Sequence, residues 1–177
     1  MDSVVLGGGC FWCLEAVILR LRGVNTVVSG YANGHIPAPT YEQVCTGRSG
    51  HAEVVQVHFE PEQLSLSDLL TVFFAMHDPT TLNRQGNDAG TQYRSGVYTH
   101  SDAQADAVRT FMARLPRDAH WEGAAVVTEV QPLQQFWPAE GYHQTYYDRN
   151  PQQGYCAYII APKVQKLMRD FSSQLAR

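Results

Sequence analysis

The sequence predicts an α+β fold built around a mixed or antiparallel β-sheet. Apolar runs typical of strands interleave with longer segments of helical periodicity, and some strands follow one another as hairpin-like pairs. The chain has 177 residues, of which 44% are hydrophobic and 17% charged, which suits a globular domain with a substantial core. Because the sequence has no repeat, low-complexity stretch or evident linker, we expect residues 1–177 to form a single domain.

The amino-terminal part predicts a buried strand followed by an amphipathic helix. Residues 4–6 form a short apolar run that glycines end, which is typical of a buried strand. Over residues 10–22 the apolar side chains follow the i, i+3, i+4, i+7 spacing of a helix, and Gly23 ends it. Residues 24–31 form a second strand, and residues 32–50, rich in Gly, Pro, Thr and Asn, form a long loop.

The middle of the chain predicts a third strand, a helix and a second long loop. Residues 53–59 alternate between polar and apolar types, which indicates a strand. Ser65 or Ser67 is suited to cap a helix that runs to about Met76. Residues 78–92 then form the second long loop, and loops of this length in compact domains are usually functional or disordered.

The remaining residues continue the alternation of strands and helices. Ser101 and Asp102 are typical of a helix start, and a loop rich in Pro and Gly, DRNPQQG, precedes Cys156. Strand patterns lie at residues 93–98, 124–130 and 156–160, and helical patterns lie at residues 101–115, 138–147 and 162–175.

Composition excludes several classes of function. The formal net charge of -4 gives no sign of a nucleic-acid partner, and no apolar run reaches the roughly 20 residues of a membrane span. The first residues lack the basic start and apolar region of a signal peptide, so we expect a cytoplasmic protein. Four cysteines are too few for a disulfide scaffold, and in such a protein cysteines are more often catalytic or metal-binding.

The stretch GGGCFWC places Cys10 at the predicted start of the first helix. Unpaired N–H groups and the helix dipole favour a thiolate there, so we expect its pKa to fall from about 8.5 toward neutrality. The glycines let the backbone approach a ligand closely, which favours a nucleophile over a small buried core cysteine. Phe11 and Trp12 would wall an apolar pocket beside the thiolate, although core packing is the simpler interpretation of Phe11 alone.

Cys13 completes a C-x-x-C spacing with Cys10. This spacing is typical of a dithiol redox pair or of half a zinc site. The chain has no second C-x-x-C and no H-x-x-x-H, and it lacks the Trp and Gly-Pro of the thioredoxin motif. A general dithiol oxidoreductase, and a zinc-stabilised binding module that uses Cys10, Cys13 and Cys156, remain alternatives.

A second group of polar residues lies on or beside the long loops. Glu53 opens a strand after the sequence GHA, and a carboxyl buried there would have a raised pKa and could donate a proton at neutral pH. An exposed glutamate at the edge of a strand is the simpler alternative. Tyr41, Asp88, Tyr93 and Tyr142 are also candidates, because a tyrosine hydroxyl beside an acid could hold a substrate oxygen.

Six blocks in order make the chain similar to a known family: GGGCFWCLEAV, VSGYANG, PTYEQVCTGRSGHAEVVQV, FFAMHDPTTLNRQGNDAGTQYRSGVY, AEGYHQTYY and NPQQGYC. Together they resemble the peptide methionine sulfoxide reductase A family over residues 4–160. The resemblance implies a ferredoxin-like two-layer α+β sandwich with a mixed or antiparallel sheet and additional loops and helices. It also implies Cys10 as the nucleophile and Glu53 as the acid. It further implies that Phe11 and Trp12 contact the methyl group, that Tyr41 and Tyr93 bind the sulfoxide oxygen, and that Asp88 organises substrate and water.

The chemistry implied is the reduction of methionine S-sulfoxide, free or in oxidised proteins. A sulfoxide needs a soft nucleophile for sulfur, a proton source for oxygen and an apolar cup for its methyl group, and these residue types supply all three. Oxygen transfer leaves a cysteine sulfenic acid, which a second thiol converts to a disulfide. Thioredoxin would then reduce that disulfide by exchange, and no metal or organic cofactor is required.

The second thiol is where this chain departs from many members of the family. Many relatives have Gly at the position of Cys13 and use the cysteine of the GYC block, here Cys156. Cys13 is one helical turn from Cys10, whereas a packed strand and helix after Cys156 would restrict its approach. Both remain candidates for the resolving cysteine, and we hypothesise a relay from Cys10 to one of them and on to the other. Cys45 is expected to be a bystander.

Overall fold

The computed structural model describes residues 1–115 and 123–177 and contains a central six-stranded sheet. The strands of this sheet are β1 (Asp2–Gly7), β2 (Val24–Ala32), β3 (Ala52–Phe59), β6 (Gly96–Thr99), β7 (Glu129–Pro132) and β8 (Phe136–Pro138), and a hairpin apart from it pairs β4 (Arg84–Gln85) with β5 (Asp88–Ala89). The strand order is β7-β6-β1-β3-β2-β8, and only β6 and β7 run parallel.

Six α-helices are present in the described residues: α1 (Phe11–Ile18), α2 (Tyr41–Cys45), α3 (Leu66–Met76), α4 (Asp102–Ala113), α5 (Tyr146–Arg149) and α6 (Ala161–Asp170). With α1 and α3 as its two helices, the order β1-α1-β2-β3-α3-β6 gives the antiparallel arrangement β6-β1-β3-β2. This is the βαββαβ connectivity of the ferredoxin-like fold. The predicted α+β class with a mixed sheet is therefore confirmed.

The first helix is almost entirely buried, which fixes the position of the residues at its start. Seven of its eight residues are buried, and it contacts the sheet through β2 and β3 and the helices α3, α5 and α6. Leu14 and Ile18 pack in the main core with Phe59 and Phe73, all at most 2% exposed. A cysteine at the first turn of such a helix has little freedom to move.

Several predicted boundaries are correct because the capping residues are local signals. The Ser65 side chain accepts a hydrogen bond from the Asp68 backbone N–H at 3.0 Å and caps α3, so Ser65 and not Ser67 begins this helix. The Ser101 side chain caps α4 in the same way. The first helix, predicted to reach residue 22, ends at Ile18, and irregular turns follow it before β2.

The helix predicted at residues 138–147 is wrong. Residues Phe136–Pro138 form β8 at the edge of the sheet, and Gly141–His143 form a single 3₁₀ turn. Thr145 then has a left-handed backbone, with φ 51° and ψ 34°, which interrupts any continuous helix before α5. Tertiary contacts of this aromatic segment override its local helical pattern.

Five other segments differ from their predicted form. Residues 156–160, predicted as a strand, form a π-helical turn, Cys156–Ile160, that leads directly into α6. The loop at 32–50 contains α2, and the loop at 78–92 contains the β4–β5 hairpin. Strands predicted at 93–98 and 124–130 begin later, as β6 and β7. Short apolar runs do not distinguish a strand from a buried helical turn, which explains the error at 156–160.

No helix in residues 1–115 or 123–177 has the length and apolarity needed to cross a membrane.

Candidate active site

Cys10 lies at the amino-terminal cap of α1, where the sequence predicted it. Its backbone is extended, with φ -62° and ψ 128°, and its carbonyl accepts the Cys13 N–H at 3.1 Å. The preceding Gly9 has φ 91°, and a Cβ there would lie 2.7 Å from the Gln85 side chain. Only glycine fits this turn without strain, because both the positive φ and the close approach exclude a side chain. The turn delivers a half-buried thiol at the helix start.

The pKa of Cys10 differs from the sequence prediction. Burial raises the pKa of this thiol well above its usual value, and a hydrogen bond with the Cys13 thiol and the charge of Glu53 raise it further. The Trp12 backbone N–H lowers it, so the effect expected of the helix start is present but is smaller than the cost of burial. The contribution of Glu53 disappears when that carboxyl is protonated. The thiolate therefore forms most readily when Glu53 holds a proton.

Cys13 is the thiol that the site favours as an anion. Its hydrogen bond with Cys10 lowers its pKa to about 7 despite burial, and the Lys163 charge and the Tyr155 hydroxyl lower it too. The Tyr155 hydroxyl lies 3.7 Å from the Cys13 sulfur and donates to Asp88 Oδ2 at 2.7 Å. Asp88 thus contacts the Tyr155 hydroxyl that adjoins Cys13, in addition to raising the pKa of Glu53 by its charge.

Glu53 is a buried carboxyl at the start of β3, opposite Tyr31 on β2. Its Oε1 accepts the Phe11 N–H at 3.3 Å, and its Oε2 is buried with no hydrogen-bond partner among the residues that the structure describes. Burial raises its pKa to about 8, and the Asp88 charge adds to this, whereas the Phe11 N–H opposes it. The carboxyl is therefore mostly protonated at neutral pH and has one oxygen free to donate its proton.

Tyr41 and Tyr93 lie on two different loops but near the same carboxyl. Tyr41 is the first residue of α2 and Tyr93 ends a 3₁₀ turn, Thr91–Tyr93. Burial raises the pKa of both phenols, and the Glu53 charge raises both further. Both hydroxyls therefore stay protonated, and each can donate a hydrogen bond in the neighbourhood of Glu53.

An aromatic wall, defined by Trp12, His143 and Tyr146, covers the first turn of α1. The Tyr146 ring stacks on Trp12 with a centroid distance of 3.8 Å and an interplanar angle of 8°. The Trp12 indole N–H donates to His143 Nδ1 at 3.0 Å. Phe11 is fully buried and packs against His143 at 5.1 Å, so it supports the wall from the core and is not an open surface.

Four residues of this site were missed by the sequence interpretation: Glu140, His143, Tyr146 and Tyr155. Glu140 accepts the Tyr31 hydroxyl at 2.9 Å and the Tyr41 backbone N–H at 3.0 Å, so it ties α2 to the sheet. All four lie in the blocks AEGYHQTYY and NPQQGYC, and the density of aromatic and polar residues there was the available signal.

The remaining cysteines occupy very different environments. Cys156 is fully buried in an apolar cluster with Cys13, Ala16 and Ile160, and burial and the Cys13 charge raise its pKa. Cys45 is exposed on α2 beside Tyr41. Within residues 1–115 and 123–177, no three His, Cys, Asp or Glu side chains are placed to hold a metal ion. Cys13 thus lies between the other two cysteines in its contacts: it is hydrogen-bonded to Cys10 and shares a buried cluster with Cys156.

A groove of about 1300 Å³ between α3, α4 and α6 reaches the same site from another side. Cys10, Asp88 and Tyr155 line the groove, together with Lys163. Of the four cysteines, Cys10 alone lines it. The half-buried Cys10 is thus reached from this groove.

Comparisons with known proteins agree with this geometry. The family model described as peptide methionine sulfoxide reductase matches residues 2–175. The peptide methionine sulfoxide reductase MsrA of Acinetobacter baumannii is 54% identical over 171 residues, which are 97% of this chain and 96% of that protein. The structure of methionine sulfoxide reductase A of Corynebacterium diphtheriae is 37% identical with a TM-score of 0.82 and covers 89% of this chain and 78% of that chain.

Structures of a yeast protein are similar as well. Mxr1 from Saccharomyces cerevisiae in reduced form is 37% identical with a TM-score of 0.78, over 88% of each chain. Mxr1 in complex with Trx2 matches with a TM-score of 0.54 and 26% identity, over 82% of this chain and 84% of that chain.

Proposed function

The chain belongs to the peptide methionine sulfoxide reductase family, and from that premise we propose how its residues reduce methionine S-sulfoxide, free or in oxidised proteins. Cys10 takes the oxygen, Glu53 supplies the proton, and Cys13 and Cys156 return Cys10 to its thiol form. The observation that carries this proposal is the position of Cys13, which is hydrogen-bonded to Cys10 and lies in one buried cluster with Cys156.

In the first step, the Cys10 thiolate attacks the sulfoxide sulfur while the Glu53 proton passes to the sulfoxide oxygen. The bond between that oxygen and the methionine sulfur breaks and a bond forms between the oxygen and the Cys10 sulfur, which is thereby oxidised by two electrons to a sulfenic acid. Methionine leaves, reduced by two electrons. Hydrogen bonds from the Tyr41 and Tyr93 hydroxyls hold the oxygen as it gains negative charge.

The aromatic wall supplies the apolar contact for the methyl group. Trp12 is only partly buried, so the part of its ring that Tyr146 leaves uncovered and the stacked Tyr146 ring form the surface that a methyl group beside Cys10 would meet. His143 fixes the Trp12 indole, and Phe11 fixes His143. The role of Phe11 is therefore indirect, through the packing of the wall.

In the second step, the Cys13 thiolate attacks the Cys10 sulfenic sulfur and displaces hydroxide, which leaves as water after taking a proton. Cys13 suits this role because its hydrogen bond with Cys10 and the Lys163 charge favour its anionic form. Asp88 holds Tyr155 beside Cys13 by accepting a hydrogen bond from the tyrosine hydroxyl at 2.7 Å. The Cys156 thiolate then attacks Cys13, which releases the Cys10 thiol and leaves a disulfide between Cys13 and Cys156.

The final step is reduction of that disulfide by thioredoxin. The complex of the related Mxr1 with Trx2 supports this choice of reductant. Cys156 is fully buried, so the turn Cys156–Ile160 must open before an external thiolate reaches it. A π-helical turn has poorer backbone hydrogen bonding than an α-helix and is suited to such local opening.

We also infer one catalytic domain over residues 1–177 and a cytoplasmic location. The sheet collects strands from Asp2 to Pro138, and α6 packs against α1, so both ends of the chain belong to one core. Cysteines that cycle between thiol and disulfide with thioredoxin require a reducing compartment.

A disulfide map after one turnover tests the proposal. The reduced protein receives one equivalent of methionine S-sulfoxide without reductant, and peptides are analysed by mass spectrometry at increasing times. We expect one equivalent of methionine, an early disulfide between Cys10 and Cys13 and a later one between Cys13 and Cys156. Failure to form methionine, with rapid reduction of insulin disulfides instead, would favour the general dithiol oxidoreductase.

A further inference from the structure

A buried carboxylate that takes no part in the steps above lies on α1, one turn beyond Trp12. Glu15 is 1% exposed, and its Oε2 accepts the Ser29 hydroxyl of β2 at 3.1 Å. Burial raises its pKa to about 7, whereas hydrogen bonds from Ser29 and from the backbone amides of Thr145 and Tyr146 lower it. The carboxylate therefore faces the backbone amide of Thr145, the residue before α5, and that of Tyr146, the first residue of the helix.

The start of α5 needs such a partner because its own residues do not supply one. Backbone N–H groups at the first turn of a helix lack carbonyl partners within it. The Thr145 hydroxyl donates to the Gln144 carbonyl at 2.7 Å and not to the helix start, and Thr145 has a left-handed backbone that threonine seldom adopts. Contacts from outside α5 must hold this conformation, and Glu15 is the buried acceptor at that point.

The segment before α5 is fixed to the same place on the sheet. The Gln144 side chain accepts the Ser29 N–H at 3.0 Å and donates to the Ser29 carbonyl at 2.9 Å. Ser29 therefore joins Gln144 through its backbone and Glu15 through its hydroxyl. The carboxylate, β2 and the start of α5 form one connected unit.

This unit sets the position of the Tyr146 ring. Tyr146 is the first residue of α5 and stacks on Trp12 at 3.8 Å. Trp12 and Glu15 are three residues apart on α1, a spacing that places both on neighbouring positions of one helix face. One helix thus carries both the ring that Tyr146 covers and the carboxylate that holds the backbone of Tyr146.

We propose that Glu15 is a positioning residue of the methionine sulfoxide pocket: its carboxylate holds the start of α5 and thereby keeps the Tyr146 ring stacked on Trp12. This inference rests on the proposed function, in which the aromatic wall binds the methyl group. Glu15 acts through the width of the pocket, so it controls which alkyl group fits beside Cys10 and how tightly it binds.

The test compares methionine sulfoxide with ethionine sulfoxide, whose alkyl group is one methylene longer. Glu15→Gln replaces one carboxyl oxygen with an NH₂ group, which cannot accept a hydrogen bond from Ser29 or from the backbone amides of Thr145 and Tyr146. We expect the KM for methionine sulfoxide to rise about tenfold, while the single-turnover rate at saturation changes by less than about twofold. We also expect the preference for the methyl over the ethyl substrate to fall severalfold, which a general loss of stability would not cause.

A double-mutant cycle shows whether Glu15 acts through Tyr146. Tyr146→Ala alone should lower the preference for the methyl substrate, and Glu15→Gln should then add nothing further. Asp148→Asn is the matched control, because Asp148 links α5 to Arg20 at 2.7 Å on the exposed side of the helix. We expect that control to leave both the KM and the preference unchanged.

The outcomes separate the two proposals. If Tyr146→Ala leaves the preference unchanged, the aromatic wall does not bind the alkyl group and that part of the proposed function is wrong. If Tyr146→Ala lowers it but Glu15→Gln does not, or if the two effects are additive, the role of Glu15 is wrong. Should Glu15→Gln fail to fold, Ser29→Ala removes one donor to the carboxylate, and an unchanged KM and preference there would also overturn the inference.

Discussion

In the proposed mechanism, the half-buried Cys10 and the buried Glu53 hold one proton between them when the substrate reacts. That form has a thiolate at Cys10 and a protonated carboxyl at Glu53. Burial raises the pKa of both groups, that of Glu53 to about 8. The doubly protonated form therefore dominates at neutral pH, and a form that has lost both protons dominates only at strongly alkaline pH.

The first prediction concerns the pH dependence of sulfenic acid formation. The second-order rate constant should rise as pH approaches 8, since one proton must leave, and should fall again at higher pH once the second leaves. Glu53→Gln should lower the rate by on the order of 10²–10⁴-fold. The variant should also lose the alkaline decline, because Gln has no proton to release. Stopped-flow single turnovers of both proteins measure this, and an alkaline decline that persists in the variant would contradict the role of Glu53.

The second prediction concerns the nucleophile itself. Cys10→Ser should reduce methionine sulfoxide at no more than the background rate, because a hydroxyl at this helix start cannot replace a thiolate attacking sulfur. Cys45→Ser is the control, because Cys45 is the exposed cysteine and its replacement keeps a hydroxyl beside Tyr41. Methionine release by chromatography and unfolding by circular dichroism should show an inactive but folded Cys10 variant. Substantial turnover by it would remove Cys10 from the nucleophile role.

At the scale of elements, the three cysteines of the proposed redox steps lie on two elements, α1 and the turn Cys156–Ile160. The first helix carries Cys10 and Cys13 at its start, where a hydrogen bond already joins the thiols. The π-helical turn carries Cys156, which lies in one buried cluster with Cys13. In the proposed relay, electrons from the reductant therefore pass from this turn to α1 through Cys13.

The third prediction distinguishes the two resolving cysteines by what accumulates without reductant. After one equivalent of substrate, Cys13→Ser should hold a Cys10 sulfenic acid and free thiols at Cys45 and Cys156. Cys156→Ser should hold a disulfide between Cys10 and Cys13 and a free thiol at Cys45 alone. Thiol titration and a sulfenic acid probe measure this difference.

The same variants should differ from the parent in steady state. Both should form one equivalent of methionine and then turn over more slowly with thioredoxin, because each lacks a step of the relay. If Cys13→Ser instead forms a disulfide between Cys10 and Cys156 at the parental rate, Cys13 is dispensable. If either variant cycles at the parental rate, the relay is wrong.

At the scale of the whole molecule, burial of the Glu53 carboxyl costs stability. The sheet and α1 enclose Glu53 so that it is 1% exposed, and its pKa in the folded protein is about 8 against 4.5 for the free group. An acid whose pKa is raised by folding stabilises the folded state only while it is protonated. That contribution is complete below pH 4.5 and is lost as pH rises through 8.

The fourth prediction follows from this linkage. Between about pH 6.5 and 8.5 the parent should lose about 1 to 2 kcal/mol of stability relative to Glu53→Gln, whose amide does not ionise. Urea unfolding of both proteins at several pH values measures the difference. Glu62→Gln, a change at an exposed surface residue, serves as the control and should track the parent. A stability difference that is independent of pH would mean that Glu53 is not protonated in the folded protein near neutral pH.

The sequence by itself determined the features that depend on neighbouring residues. The Ser65 and Ser101 caps, the alternation of β3 and the glycine turn into α1 are local, because the interacting groups lie within a few residues. The placement of Cys10 at a helix start is local for the same reason. The motif blocks shared with a known family also indicated that Glu53, Tyr41 and Tyr93 serve one site, although they lie far apart along the chain.

Only the tertiary structure decided which distant groups meet and what burial does to them. The Phe11 amide and Glu53 are 42 residues apart, the Trp12 indole and His143 are 131 apart, and Asp88 and Tyr155 are 67 apart. No local pattern encodes such pairs, because their contact depends on the packing of α1 against the sheet and α5. For the same reason, the sequence predicted the wrong direction for the shift of the Cys10 pKa. The helix start acts locally and favours the thiolate, whereas the larger, opposing effect of burial comes from the rest of the fold.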